Sequence, residues 1–180
     1  MPSYILPIAI VLPILGGALV PFLPFKKKST MHIYVETIVV LTSILVFCIL
    51  FQPPTETMNL IHFFGDLSIS FKLDGLGSVF TAMVAFLWPL ATLYAFECMA
   101  HEGRERSFFM FYTMTYGVTL GISMAANVLT MYGFYEMLTL VTFPLVMHSG
   151  SREAILASRK YLYYSIGGAA FAFIGMIFVI

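Results

Sequence analysis

Residues 127–148 read NVLTMYGFYEMLTLVTFPLVMH, an apolar run of membrane-spanning length with one carboxylic acid, Glu136, at its middle. A helix that crosses a bilayer needs about 20 mostly apolar residues, because the hydrocarbon core is about 30 Å thick and each residue rises about 1.5 Å. Alternating apolar and polar residues, which are typical of a membrane β-strand, are not found in this run. The segment therefore predicts a transmembrane helix, and an all-α integral membrane fold.

The composition of the whole chain agrees with this prediction. Of the 180 residues, 60% are hydrophobic and 10% are charged, whereas a soluble domain carries about 25% charged residues. The formal net charge is zero, so there is no basic surface for nucleic acid. Cys48 and Cys98 form no CxxC pair, which favours a packing role for each and predicts no metal site.

We predict about six transmembrane helices, at residues 4–23, 34–51, 75–96, 108–125, 127–148 and 161–180. The junction before Asn127 is short, so the fourth and fifth helices should form a tight antiparallel hairpin. Between the second and third helices, residues 67–73 (LSISFKL) alternate with period two. This alternation predicts a short β-strand, or half of a hairpin, on the outer surface.

Lysine and arginine residues indicate the orientation of the chain. With the N-terminus outside, eight basic residues lie on the cytoplasmic side, and only Lys72 lies outside. The eight are Lys26, Lys27, Lys28, Arg104, Arg106, Arg152, Arg159 and Lys160. This bias predicts a multi-pass protein of the cell (inner) membrane with its N-terminus outside. The first apolar stretch precedes its basic run, unlike a secretory signal.

Glu136 is the residue that points most directly to chemistry. A charge near the bilayer midplane costs at least about 2.5–3.5 kcal/mol, and intramembrane ionisable residues usually mark ion or proton paths. Tyr132 and Thr139 lie on the same helix face and offer hydroxyls for a hydrogen-bonded chain. The alternative is a structural, neutral glutamic acid that is hydrogen-bonded between helices.

Two further residues are candidates for the same path. Lys160 lies about 10 Å along the sixth helix if that helix begins near Glu153, and it either faces the bundle or snorkels to the headgroups. The spacing alone leaves both options open. His148 ends the fifth helix and could relay protons, because imidazole titrates near pH 6.5; an interfacial histidine without a role is the alternative.

The remaining polar residues favour structural interpretations. Asp74 precedes the third helix and should cap its N-terminus, with a role in proton entry as the alternative. Glu36 is expected to snorkel from the start of the second helix. Glu105 should lie in a solvated loop with neighbouring arginines. The histidines His32, His62 and His101 are expected in loops and form no ligand set.

Small residues predict where helices approach closely. Gly117, Gly121 and Ala125 recur every four residues on the fourth helix. Gly168, Ala172 and Gly175 form a similar face on the sixth. Such faces let helix backbones come together in lipid.

Three strings resemble one family of membrane proteins. Residues 126–140 (ANVLTMYGFYEMLTL) are similar to the fifth helix of antiporter-like subunits of respiratory complex I, membrane-bound hydrogenases and Mrp cation/proton antiporters. Residues 71–76 (FKLDGL) resemble the entry to the third helix of that family, and residues 160–165 (KYLYYS) resemble its sixth helix. The residues around Glu136 and His148 are more similar to the D-type subunits of Mrp antiporters than to the complex I subunits.

The resemblance implies a subunit of about fourteen helices with two inverted repeats of five. In the family, the fifth-helix glutamate pairs with a seventh-helix lysine; Glu136 matches the former, and Lys160 matches the sixth-helix lysine. The chain ends at Ile180, before any seventh helix. We therefore expect residues 1–180 to be a single transmembrane domain, the N-terminal part of a larger subunit. Glu136 without its cation should not pump.

The expected function is proton, or cation/proton, translocation within a complex I-like, hydrogenase-like or Mrp-type membrane complex. The alternative is a non-conducting structural subunit, or a truncated relic, that scaffolds partners. The chain has no motif for NADH, flavin or an iron–sulfur cluster, so we expect no cofactor; any oxidoreductase activity would belong to the enclosing complex. The expected partners are other membrane subunits, the lipid bilayer and protons, with Na⁺ as the alternative ion.

Overall fold

A computed structural model of the chain describes residues 3–25, 27–54, 56–62, 67–100 and 103–179. Lys26 and His101 lie outside the described residues. Six helices and two strands follow in chain order: α1 (Ile5–Leu19), α2 (Lys28–Phe51), β1 (Met58–His62), β2 (Ser68–Phe71), α3 (Gly75–Met99), α4 (Glu105–Ser123), α5 (Val128–Val146) and α6 (Arg152–Val179). The predicted all-α membrane architecture, with a hairpin between the second and third helices, is confirmed.

Three helix ends differ from the sequence-based boundaries by four residues or more. α2 begins at Lys28 and α6 begins at Arg152, six and nine residues earlier than predicted. Both extensions are polar turns that continue a helix beyond its apolar part, so hydropathy alone does not find them. α1 ends at Leu19, where the missing N–H of the following Pro21 helps to stop the helix.

Four helices, α2, α3, α5 and α6, are individually long and apolar enough to cross a membrane. α1 has 15 residues, fewer than the roughly 20 that span the hydrocarbon core. α4 has 19 residues but carries Glu105, Arg106 and several hydroxyls. By length and composition, α1 and α4 therefore need contact with neighbouring helices to be stable in a membrane more than the other four helices do.

α1 and α4 pack with their backbones in close contact. A Cβ atom added at Gly17 would lie 2.7 Å from the carbonyl oxygen of Met110, and one added at Gly117 would collide with the carbonyl oxygen of Ile10. Close approach of this kind provides dispersion contacts in lipid, where the hydrophobic effect does not drive helices together. Gly121 lies directly against Phe134 of α5, so close packing is confirmed for Gly117 and Gly121. Ala125, the third residue of the predicted face, lies beyond the end of α4 and forms a bridge with Phe71.

The corresponding face of α6 has no partner among the described residues. A Cβ atom added at Gly168 or Gly175 would meet no atom within 4 Å. The small residues of α6 therefore do not serve packing within the part of the chain that the structure describes.

The polar residues of α4 are accommodated because the helix lies inside the bundle. It contacts α1, α2, α3 and α5, and Thr113, Thr115 and Tyr116 are buried. The Thr113 hydroxyl donates to the Phe109 carbonyl at 2.7 Å, and the Thr115 hydroxyl donates to the Phe111 carbonyl at 2.7 Å. Hydroxyls that bond their own helix in this way can be buried at little cost.

The two strands form an antiparallel hairpin in which Met58 pairs with Phe71 and Asn59 pairs with Ser70. β2 lies within the segment predicted to be extended. At the N-terminus of α3, the Asp74 side chain accepts a hydrogen bond from the Gly77 N–H at 2.6 Å. The predicted cap is therefore present.

Replacement of Gly117 by alanine tests the α1–α4 contact. The added methyl group must displace the backbone of α1, so we expect Gly117→Ala to lower the free energy of unfolding by about 1–3 kcal/mol. The matched control is Gly133→Ala, in α5, where a Cβ atom meets nothing within 4 Å. That change should be neutral or stabilise by up to about 1 kcal/mol. Thermal unfolding in detergent measures the stability of both variants. Equal unfolding midpoints for the two would contradict the close backbone contact between α1 and α4.

Candidate functional site

Glu136 lies at the middle of α5, as the ninth of its 19 residues. Its side chain is half-buried, and the Oε1 atom is buried with no hydrogen-bond partner among the described residues. The hydroxyl of Tyr132, one turn earlier on the same helix face, interacts with the Glu136 carboxyl. α5 thus places an ionisable group at mid-helix with one polar neighbour.

The start of α5 is fixed by Asn127. Its Oδ1 atom accepts a hydrogen bond from the Thr130 N–H at 2.7 Å, which caps the helix. Its Nδ2 atom donates to the Ser68 carbonyl at 2.6 Å and to the Ser70 hydroxyl at 2.8 Å. One side chain therefore ties the first turn of α5 to β2.

Backbone hydrogen bonds strengthen the same junction. The Ala126 N–H donates to the Ser70 carbonyl, and the Lys72 N–H donates to the Met124 carbonyl, both at 2.9 Å. The α4–α5 turn is thus paired with β2 as a short additional bridge. This pairing sets the axial position of α5, and with it the depth of Glu136.

Two contacts fix the register of α5 against the antiparallel α6. The hydroxyls of Thr142 and Tyr161 are 2.7 Å apart, and the ring centroids of Tyr132 and Phe173 are 5.7 Å apart. Interpolation between these pairs places Glu136 opposite residues 167–168 of α6.

That register separates Lys160 from Glu136. Lys160 is exposed and lies seven residues from the level of Glu136, about 10 Å along the helix axis. Thr139 is buried, but its hydroxyl is directed at the Tyr135 carbonyl, 3.4 Å away. Of the predicted path residues, the structure brings only Tyr132 to Glu136.

His148 lies beyond the C-terminal end of α5, twelve residues after Glu136. Its ring packs edge-on against Phe108 of α4, with centroids 5.3 Å apart. The Nε2 atom is buried without a hydrogen-bond partner in the described parts of the chain. His148 is therefore an inward-facing residue, but it belongs to a different level of the bundle from Glu136.

Open space lies beside Tyr132, one turn before Glu136, although Glu136 itself does not line it. A cavity of about 430 Å³ lies between α5 and α6, and Tyr132, Tyr135, Ala172 and Gly175 are among the residues that line it. The lining is almost entirely apolar. A carboxylic acid near such a space can exchange a proton only if water or a polar side chain reaches it.

A second polar group lies where α2 and α4 begin. The Lys28 ammonium pairs with the Glu105 carboxylate, and His32 Nε2 lies 3.8 Å from Glu105 Oε2. The sequence-based expectation was wrong for two of these residues. His32 lies within α2 rather than in a loop, and Glu105 is the first residue of α4, with only 6% of its side chain exposed.

Further polar side chains continue from this group into the interface of α2, α3 and α4. Glu36 Oε2, the Tyr112 hydroxyl and Trp88 Nε1 are buried without hydrogen-bond partners within the described ranges. Tyr116 and Ser43 follow, with their hydroxyls 2.9 Å apart in the bundle core. The four-residue spacing of Lys28, His32 and Glu36 is the signal in the sequence for this group. Hydropathy places the start of the second helix at residue 34, which leaves Lys28 and His32 outside it and hides the spacing.

Comparisons with known proteins agree with the architecture. Over 189 residues the chain is 27% identical to NAD(P)H-quinone oxidoreductase chain 4, chloroplastic, of Dioscorea elephantipes, an alignment of 98% of this chain and 37% of that protein. Over 171 residues it is 24% identical to Na(+)/H(+) antiporter subunit A1 of Staphylococcus aureus, covering 91% of this chain and 21% of that protein. No family model matches the chain.

A solved structure has the same fold. A chain of the membrane-bound sulfane sulfur reductase, an archaeal respiratory membrane complex, superposes with a TM-score of 0.81 at 19% identity. The match covers 96% of this chain and 36% of that chain. The homologues are antiporter-like membrane subunits. The chain spans just over a third of the length of the first of these relatives and about a fifth of the second.

Asn127 offers a test of how the site is positioned. Asn127→Asp keeps the acceptor for the Thr130 N–H but loses the donor to the Ser68 carbonyl, a bond worth about 1 kcal/mol. The Ser70 hydroxyl can still donate to the new carboxylate, whereas the Ser68 carbonyl then faces a second acceptor. We expect amide exchange to rise severalfold in the hairpin while the first turn of α5 stays protected. Asn127→Ala loses the cap as well, at a further cost of about 1 kcal/mol, so both segments should exchange faster. Hydrogen exchange with mass spectrometry measures each segment, and identical patterns for the two variants would contradict the dual role.

Proposed function

We propose that this chain supplies the Glu136-bearing part of a membrane subunit that translocates protons, or exchanges protons for cations. The observation that carries the proposal is a carboxylic acid at mid-helix, with one oxygen buried and without a hydrogen-bond partner in the part of the chain that the structure describes. Such a group is costly to place in a membrane, and ionisable residues that are kept there usually mark ion or proton paths. The antiporter-like homologues are consistent with this role.

The site needs a cation that the described residues do not provide. Among them, no lysine, arginine or histidine pairs with Glu136, and Lys160 lies about 10 Å away along the helix axis. We therefore propose that the chain acts as a single transmembrane domain, the N-terminal part of a longer subunit, whose further helices bring the missing charge. In this proposal Tyr132 is the nearest relay, and Lys160, Thr139 and His148 are more distant parts of the path.

The setting follows from the same relatives, which are subunits of multisubunit membrane complexes. We propose other membrane subunits as partners, lipid as the surrounding phase, and protons as the transported ion, with Na⁺ as the exchanged cation. The membrane is proposed to be the cell (inner) membrane.

The arrangement of basic residues supports an outside N-terminus. Lys28 donates to the Ala100 carbonyl at the end of α3, and Arg106 donates to the Phe25 carbonyl after α1. The Arg104 guanidinium lies beside Gly150, between α5 and α6. The basic connections thus gather at one end of the bundle, while Lys72 lies with the hairpin by the α4–α5 turn, and this asymmetry favours a cytoplasmic basic end.

Replacement of Glu136 tests the proposed function. Glu136→Gln keeps the shape but cannot ionise, so we expect it to slow proton uptake into vesicles that contain the complete assembly by about 100-fold or more. Glu136→Asp should retain part of the rate, because an ionisable group remains. Glu153→Gln, at an exposed position in the first turn of α6, is the matched control and should transport normally. Wild-type rates in an assembled Glu136→Gln complex would leave this chain with a scaffolding role.

Orientation has its own test. In a background with Cys48 and Cys98 replaced by serine, Lys27→Cys should react with an impermeant maleimide only after the cytoplasmic side is opened. A cysteine in place of Asn59, in the hairpin, should react from the outside. Labelling of position 27 in intact cells would show that the N-terminus is inside.

A further inference from the structure

Buried polar atoms without partners are concentrated in one helix interface. Six side chains in the described ranges carry such an atom: His32, Glu36, Trp88, Tyr112, Glu136 and His148. Four of the six, His32, Glu36, Trp88 and Tyr112, belong to α2, α3 and α4, away from Glu136. Buried polar groups in proteins are almost always hydrogen-bonded, to the protein or to ordered water.

These groups follow one another inward from the basic end of the bundle. Glu105 lies 3.8 Å from His32, and Glu36 lies one turn further along α2 on the same face. Glu36 is close enough for its charge to act on the Tyr112 hydroxyl, which lies beside Thr92 of α3, but no direct hydrogen bond joins Glu36 to Tyr112 among the described residues. The polar groups are therefore neighbours rather than isolated.

Aromatic rings extend the series to the centre of the bundle. The ring centroids of Trp88 and Tyr112 are 5.4 Å apart, and those of Trp88 and Tyr116 are 5.0 Å apart. Tyr116 then shares a hydrogen bond with Ser43 in the fully buried core. The series thus runs from the exposed Lys28 and its buried partner Glu105 to buried hydroxyls.

Water is the partner that fits these atoms. Leaving a buried donor or acceptor unpaired is costly, and four such groups in one interface would multiply that cost. A site with two to four polar partners at hand can hold an ordered water molecule. Glu36 also borders a groove of about 340 Å³ that is lined by α2 residues alone, on the outer face of that helix.

We propose that α2, α3 and α4 enclose a hydrated proton-uptake branch, separate from the Glu136 site, in which Glu36 is the proton-carrying carboxyl. Glu105 and His32 collect protons from the cytoplasmic water, and Lys28 holds Glu105 in position. A proton passes from the imidazolium or carboxyl at this entrance to Glu36, and then along water and the Tyr112 hydroxyl toward Tyr116. Every step is a proton transfer, and no covalent bond between heavy atoms changes. The branch rests on the proposed function.

Water access is tested without any transport measurement. Thr92→Cys and Thr113→Cys are nearly isosteric changes at two buried threonines, 0% and 1% exposed. The Thr92 side chain lies beside the Tyr112 hydroxyl, whereas the Thr113 hydroxyl donates to the Phe109 carbonyl within α4. In the complete assembly, with Cys48 and Cys98 replaced by serine, each variant is treated with a small cationic methanethiosulfonate from the cytoplasmic side. We expect labelling at position 92 to be at least about tenfold faster than at 113, because a dry interior disfavours a charged reagent. Equal rates would overturn the hydrated branch.

Proton transport tests the role of Glu36. Glu36→Gln should lower the initial rate of proton uptake about tenfold, while Glu36→Asp should recover part of the loss. Glu153→Gln is again the neutral control, and assembly is checked on the same preparation. A normal rate for Glu36→Gln, with Glu136→Gln inactive, would overturn the branch and leave the proposed function standing. An unaltered assembly that carries no protons would overturn both.

Discussion

The amide side chain of Asn127 holds the position on which the candidate site depends. It caps α5 with its oxygen and binds β2 with its nitrogen, so the depth of the helix is set by a surface hairpin rather than by lipid. An apolar helix can slide along its axis in a bilayer at small cost, because one apolar turn resembles the next. The hydrogen bonds at Asn127 remove that freedom, and Glu136 is carried to a fixed level of the bundle.

α4 combines two requirements that usually conflict. It presents small residues to α1, so that the two backbones nearly touch at Gly117, and it also presents the hydroxyls of Tyr112 and Tyr116 to α2 and α3. A helix with this much polarity is stable in a membrane only when other helices shield it. The close α1–α4 contact and the polar α2–α3–α4 interface are thus different faces of one central helix.

The sequence predicted the six helices, the strand before Asp74 and the small-residue contacts of α4, because each leaves a local periodic signal. It did not predict the α5–α6 register, which depends on the pairing of Thr142 with Tyr161 across two helices. The separation of Lys160 from Glu136 therefore could not be predicted from the sequence. His32 and Glu105 were misplaced for another reason: both lie in polar turns, and only the contacts of Glu105 with Lys28 and His32, across two helices, show that these turns are helical and partly buried.

The 15 residues of α1 give it a length of about 22 Å, whereas the 28 residues of α6 extend over about 42 Å. The bilayer around this chain must therefore accommodate a short side and a long side. Lipids beside α1 have to thin, and α6 has to tilt or reach into the headgroup region. Hydrophobic mismatch of this kind is relieved when a neighbouring protein covers the short side. The elastic cost of the deformed lipid then acts as an attractive force between subunits, in addition to any direct contact between them.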